Sequence, residues 1–199
     1  LGKIIIIGVL LAVLVYYIFR RLNFFSASIE EKRVRPNQIL LLAVSTQVLK
    51  RSLRAVLYSV GTGILLLFII FLIAAKFKIA LIILPVCLYL IGQFFVFNNH
   101  ANAVKGQNIR YDTNTDNISI ENLKGELIRF NLLQDVSEVK EVRAVQKNNG
   151  LLLGYYKLRI GTKQIYIPYL LQDDPQNKLF FDKLQLFDKE LETKLFPII

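Results

Sequence analysis

Histidine, cysteine and paired carboxylates are the side chains from which small proteins build metal, nucleophilic and acid–base sites. This chain holds one histidine, His100, and one cysteine, Cys87. His100 stands beside Asn98 and Asn99 where a long apolar run ends, which reads as a polar residue at a membrane exit. Cys87 lies inside that run, where a free thiol serves as a small apolar filler. Zinc, haem and iron–sulfur centres draw on several His or Cys ligands, so a centre of that kind is excluded. The adjacent acids Asp173 and Asp174 precede Pro175 and read as helix capping rather than as an acid–base pair. Gly61 and Gly63 match neither a phosphate loop nor a GxxxG motif, although their size admits a close helix neighbour. We therefore assign no catalytic, cofactor-binding or metal-ligating residues and expect a protein that is not an enzyme and carries no cofactor.

Composition points instead to a bilayer. The chain of 199 residues is 54% apolar and only 20% charged, too apolar for an average soluble domain. Its formal charge of +10 is unevenly placed. Residues 1–98 hold 11 Lys/Arg against 2 acids, and residues 99–199 hold 14 against 13. The second half is nearly neutral, which argues against a nucleic-acid partner. The basic excess flanks apolar runs, where it sets orientation and meets anionic phospholipid.

A helix needs about 20 apolar residues to cross the hydrocarbon core. Residues 57–75 and 79–98 meet that length without a charge, joined by Lys76-Phe77-Lys78, and are expected to form a transmembrane hairpin over 57–98. Pro85 and Gly92 are expected to kink or loosen the second arm. A shorter run, Ile4 to Phe19, lies between Lys3 and Arg20-Arg21. It reads as an uncleaved anchor over 1–21, because Phe25–Ser28 is a poor cleavage site for a signal peptide. Three spans result.

Residues 20–56 carry Arg20, Arg21, Lys32, Arg33, Arg35, Lys50, Arg51 and Arg54 against Glu30 and Glu31. The positive-inside rule makes this stretch cytoplasmic, with the N-terminus outside and the C-terminal half cytoplasmic. Within the linker 22–56, a helix starting near Asn37 has two readings: an interfacial helix with Gln47, Lys50, Arg51 and Arg54 on one face, or an extension of the following span.

From residue 107 the pattern turns to alternation, the mark of half-buried strands. Ile109 and Tyr111, Ile118 and Ile120, Ile128 and Phe130, Val136 to Val145, Tyr156, Leu158 and Ile160, then Ile165 and Ile167 define six or seven antiparallel strands. Residues 113–116, 122–125, 148–150 and 161–163 supply the turns. Asp174 as N-cap and Pro175 at the first position open a closing helix. Phe180, Leu184, Phe187, Leu191 and Leu195 then recur at helical spacing and are expected to cover the sheet.

Strands followed by one amphipathic helix, with IRFNLLQDVSEVKEV, YYKLRI and IYIPYLLQDD in order, resemble the bacterial pleckstrin-homology-like domains found behind a transmembrane hairpin. The resemblance covers about half the chain and rests on packing and turn patterns. It implies a membrane α-helical part plus an α+β domain over 107–199, a curved antiparallel sheet capped by a helix. It implies no shared active site. The loop that binds phosphoinositides in eukaryotic relatives would be Thr113 to Asp116, which has no basic residue. The expected role is an accessory or regulatory subunit of a larger inner-membrane complex that binds protein through this domain, with other subunits or its own copies as partners. Ile165, Ile167, Tyr169, Phe196 and Ile198 are the expected contact residues. The alternative is a self-assembling lipid-handling or membrane-organising module.

Overall fold

Six of the expected strands form where apolar and polar residues alternate. The computed structural model describes residues 39–74, 78–123 and 125–199, together with Val9, Ala12, Val13 and Tyr16. The chain divides into two compact units, Leu1–Arg33 and Val34–Ile199. In the first, the four described residues are helical; the rest of the anchor expected over 1–21 lies outside the described residues.

In the second unit, β2 (Gln107–Asp112), β3 (Asn117–Asn122) and β4 (Leu127–Asn131) form an antiparallel meander. The short helix α3 (Leu132–Asp135) carries the chain into β5 (Val136–Ala144). Asn131 caps α3, accepting from the backbone N–H groups of Leu133 and Gln134 at 3.0 and 3.1 Å. β6 (Gly154–Ile160) and β7 (Lys163–Pro168) then pair antiparallel with β5 and with each other in turn. Gly161, at φ 55, supplies the left-handed residue of the β6–β7 turn, a conformation that costs other residues more.

Two strands were not expected. β1 (Ile39–Leu42) pairs antiparallel with β2, Ile39 opposite Asp112 and Leu42 opposite Ile109. Residues 39–42 are therefore strand rather than the helix expected there, and of the two readings of the linker the extension of the span holds from Thr46 onward, where Thr46–Ala74 is one helix. The open edge of β2 recruits Ile39–Leu42 because an edge strand leaves backbone groups unpaired, and Leu42 gains burial to 4% exposure. The helix begins only at Thr46, after Ser45, whose Oγ accepts from the N–H of Val48.

The second departure is at the other end. The helix after Pro175 stops early: α5 spans only Lys178–Leu184. Residues Lys189–Lys194 form β8, which lies parallel to β5 with Val139 opposite Lys189. Leu191 and Leu195 are 50% and 60% exposed and do not cover the sheet. Lys, Glu and Leu favour a helix here, yet the ladder on the free edge of β5 outweighs that weak local preference. Lys140 fastens the strand from β5, reaching Glu190 at 2.6 Å and Glu138 at 3.2 Å.

The sheets are thus β1-β2-β3-β4 and β7-β6-β5-β8. Ile109, Tyr111, Ile118, Ile120 and Phe130 from the first share one core with Val139, Leu158, Ile165 and Ile167 from the second. Tyr169 and Leu171 of α4 (Tyr169–Gln172) and Phe180, Phe181 and Leu184 of α5 close it.

Three buried tyrosines make this core sensitive to alkali. Burial raises the phenol pKa of Tyr111, with a bond to Asp116 adding to it. Burial does the same for Tyr169, bonded to Glu141, and lifts Tyr156 to about 12. An acid whose folded pKa is raised stabilises the fold below its unfolded value, near 10 for Tyr, and loses that contribution as pH climbs toward the folded value. Thermal melts are expected to be flat from pH 7 to 9 and to fall above pH 10. The Tyr169→Phe variant should lose part of that alkaline slope.

Candidate functional site

Between β1 and β2 the chain leaves the sheet for two helices. α1 (Thr46–Ala74) climbs 29 residues, a 3-10 segment (Lys78–Ile83) turns the chain, and α2 (Leu84–Lys105) returns to β2 at Gln107. At 1.5 Å per residue α1 is about 44 Å long. Both helices are long and apolar enough to cross a membrane. A soluble protein's core helix passes the same test, but such a helix is mostly buried. Here only 22% of the apolar window in the first helix and 39% in the second is buried. Leu65, Phe68, Leu72, Ile82, Val86 and Leu88 stand exposed without a charge among them, which water tolerates poorly at this extent.

Local sequence explains the turn. Pro85 lies in the first turn of α2, where its missing N–H costs nothing, so it starts the helix instead of kinking it. Gly63 lets the arms approach: a Cβ there would stand 2.9 Å from Leu90 Cβ and 3.0 Å from the Cys87 carbonyl. Gly63→Leu is expected to cost about 1–3 kcal/mol by overpacking, read as a lower melting temperature in detergent. Gly61→Leu, with no atom within 4 Å of its added Cβ, should be neutral.

The lower half of α2 runs inside the protein, past the expected end of the span at Asn98. Gln93, Phe94, Val96, Phe97, His100 and Ala101 are buried. His100 is therefore a core residue and not an interfacial one. Its Nε2 donates to the Pro197 carbonyl at 2.6 Å. Asn99 exchanges two hydrogen bonds with the Ile199 backbone, at 2.8 and 3.1 Å. Phe196 lies against Gly92, where an added Cβ would meet its ring at 2.6 Å, and beside Tyr89. Gly92 is thus a seat for an aromatic ring. Higher up, Asn148 reaches from the β5–β6 loop and donates to Gln93 at 3.1 Å, both side chains buried.

The start of α1 is held just as firmly. Asp174 accepts from the Ser45 N–H at 2.6 Å and from the Gln176 N–H at 3.2 Å. It caps the 3-10 turn Pro175–Asn177, as the sequence predicts, and also places a carboxylate at the positive end of α1's dipole. Asn177, fully buried, donates to the carbonyls of Ala43 at 2.8 Å and Leu171 at 2.7 Å. Gln176 reaches Ala43 as well, at 2.9 Å.

No family model, curated protein or solved structure matches the chain.

Among the basic residues, Lys50, Arg51 and Arg54 lie exposed on the first turns of α1, directly below its uncharged stretch. Arg20, Arg21, Lys32, Arg33 and Arg35 lie outside the described residues. Of the expected contact residues, Ile165, Ile167 and Tyr169 are buried in the chain's own core, at 7% exposure or less, and offer no surface to a partner. Phe196 and Ile198 keep 39% and 56% exposure. Among the described residues no group of three or more His, Cys, Asp or Glu is placed to hold a metal ion. The long-range ties of Asn177, Gln93 and Asn148, and the bond of Asp174 to Ser45, escaped the sequence reading. For the three amides the only signal was their place in or beside apolar runs.

Proposed function

We propose that the chain is a non-enzymatic accessory or regulatory subunit of a larger complex in a bacterial inner membrane. The α1–α2 hairpin sits in the bilayer, and the two-sheet domain holds another protein. The observation that carries this reading is the insertion of the hairpin between two paired strands. A helical hairpin returns to the side it left, so the domain and the basic residues Lys50, Arg51 and Arg54 share one face of the bilayer. The positive-inside rule makes that face cytoplasmic. The order of six meander strands in two sheets, followed by a helix that closes the core, supports a pleckstrin-homology-like domain. In this reading β1 precedes the hairpin, and β8 is an addition to the pattern. Apolar surface for a partner is supplied by Leu179 and Leu186, 61% and 73% exposed.

A second reading, a self-assembling membrane-organising module, draws on Leu65, Phe68 and Leu72. These are exposed at i, i+3 and i+7 on α1, the spacing of a helix seam. Purification in mild detergent with native mass spectrometry separates the two. A second polypeptide in fixed stoichiometry supports the subunit reading, homo-oligomers support self-assembly, and a monodisperse single copy contradicts both.

A further inference from the structure

We propose that the foot of α1 is a binding site for the headgroup of a membrane phospholipid, with its phosphate held by Arg51 and Arg54. This rests on the hairpin lying in a bilayer but not on the domain having a protein partner.

A cavity of about 380 Å³ opens between the first turns of α1 and the turn Asn149–Leu151, with Asp173 on its wall. That volume is in the range of small-ligand sites. Arg51 and Arg54 both line it, while Ser52 and Ala55, small and buried, leave the room between helix and turn. Neither guanidinium has a carboxylate within ion-pair distance among the described residues. Two arginines one helical turn apart present fork-shaped donors that match a phosphate's oxygens.

Position selects a lipid over a soluble phosphate. A second hollow, about 510 Å³, is lined by Tyr58, Ser59, Thr62 and Leu90 and borders the same Asn149. It lies one to two turns further along α1, inside the uncharged stretch. The Thr62 hydroxyl there is satisfied by the Tyr58 carbonyl at 2.9 Å, and Leu90 supplies an apolar wall. A phosphate at Arg51 and Arg54 would send its glycerol and acyl chains into this second space. The Asp173 wall opposes further negative charge. Burial pushes its carboxyl upward while Arg51 draws it down. A headgroup with one phosphodiester fits; one carrying several phosphates does not.

The test uses the full chain purified in detergent, titrated with phosphatidylglycerol and read by native mass spectrometry. One tightly retained lipid per chain is expected, with at least tenfold weaker retention in the Arg51→Ala/Arg54→Ala double variant. Both arginines are exposed, so the variant should fold, and an unchanged melting curve checks this. Lys50→Ala, on the same turn but outside the cavity, should change retention less than twofold. Ser52→Leu, which fills the cavity without altering charge, should weaken retention as the double variant does. Equal losses in Lys50→Ala and the double variant would show diffuse attraction and overturn the site. Displacement of the lipid by glycerol 3-phosphate at matched concentration would overturn the lipid as occupant. If the chain retains lipid but runs as a single copy, the subunit reading falls and the lipid site stands.

Discussion

Leu42→Ala is expected to destabilise the chain by about 2–5 kcal/mol, the usual cost of a large cavity in a packed core. Leu42 is 4% exposed, sits opposite Ile109 and belongs to the core shared by both sheets. An interfacial helix would instead place this leucine against lipid, where truncation costs the protein far less. Near-UV circular dichroism of the tyrosines, followed during heating in detergent, should show a melt lowered on the order of ten degrees. Ile39→Ala, on the same strand but 54% exposed, should shift the melt by only a degree or two. Equal small shifts in both variants would place β1 outside the core.

Asp174→Ala should act almost as strongly and in a different way. The carboxylate satisfies two backbone N–H groups, one of them at the foot of a 29-residue helix. Charge-assisted bonds of this kind contribute about 1.5–3 kcal/mol, and the dipole adds a few tenths more. Asn177→Ala removes two further bonds, to the Ala43 and Leu171 carbonyls, at about 0.5–1.5 kcal/mol each. The two losses share the segment Ala43–Ser45, so their sum should be non-additive in a double-mutant cycle. Limited proteolysis is the second readout. The variants should become cleavable near Ala43–Ser45, while Leu179→Ala, at an exposed site, should not.

Much of the sheet was legible because half-buried strands write a period of two into the sequence. Ile118 and Ile120, or Ile165 and Ile167, announce both the strand and its inward face. That same alternation argued against Ile165 and Ile167 as contact residues, since the face they mark is the core. The strand β1 was illegible for a physical reason. Ile39–Leu42 is four apolar residues without alternation beside a basic helical pattern, and its partner strand lies beyond both helices. At the other end, Lys189–Lys194 has helix-forming residues, and its strand is imposed by the free edge of β5. The capping role of Asp174 could be read locally from Pro175, whereas its bond to Ser45 spans most of the chain. His100 was misplaced because an apolar run followed by asparagines looks the same at a membrane exit and on a helix that continues into a protein core.

Placement of the hairpin in a bilayer requires the exposed apolar surface of α1 and α2 to face hydrocarbon. Thiol labelling in native membranes tests this most directly, in a Cys87→Ser background, with N-ethylmaleimide, which crosses bilayers but reacts with thiolates in water. Phe68→Cys, Ile82→Cys and Leu179→Cys replace side chains that are 51%, 73% and 61% exposed on the protein surface. Rapid labelling is expected at position 179 and none at 68 or 82 until the membrane is dissolved and the chain denatured. Equal labelling at all three positions in intact membranes would contradict that placement.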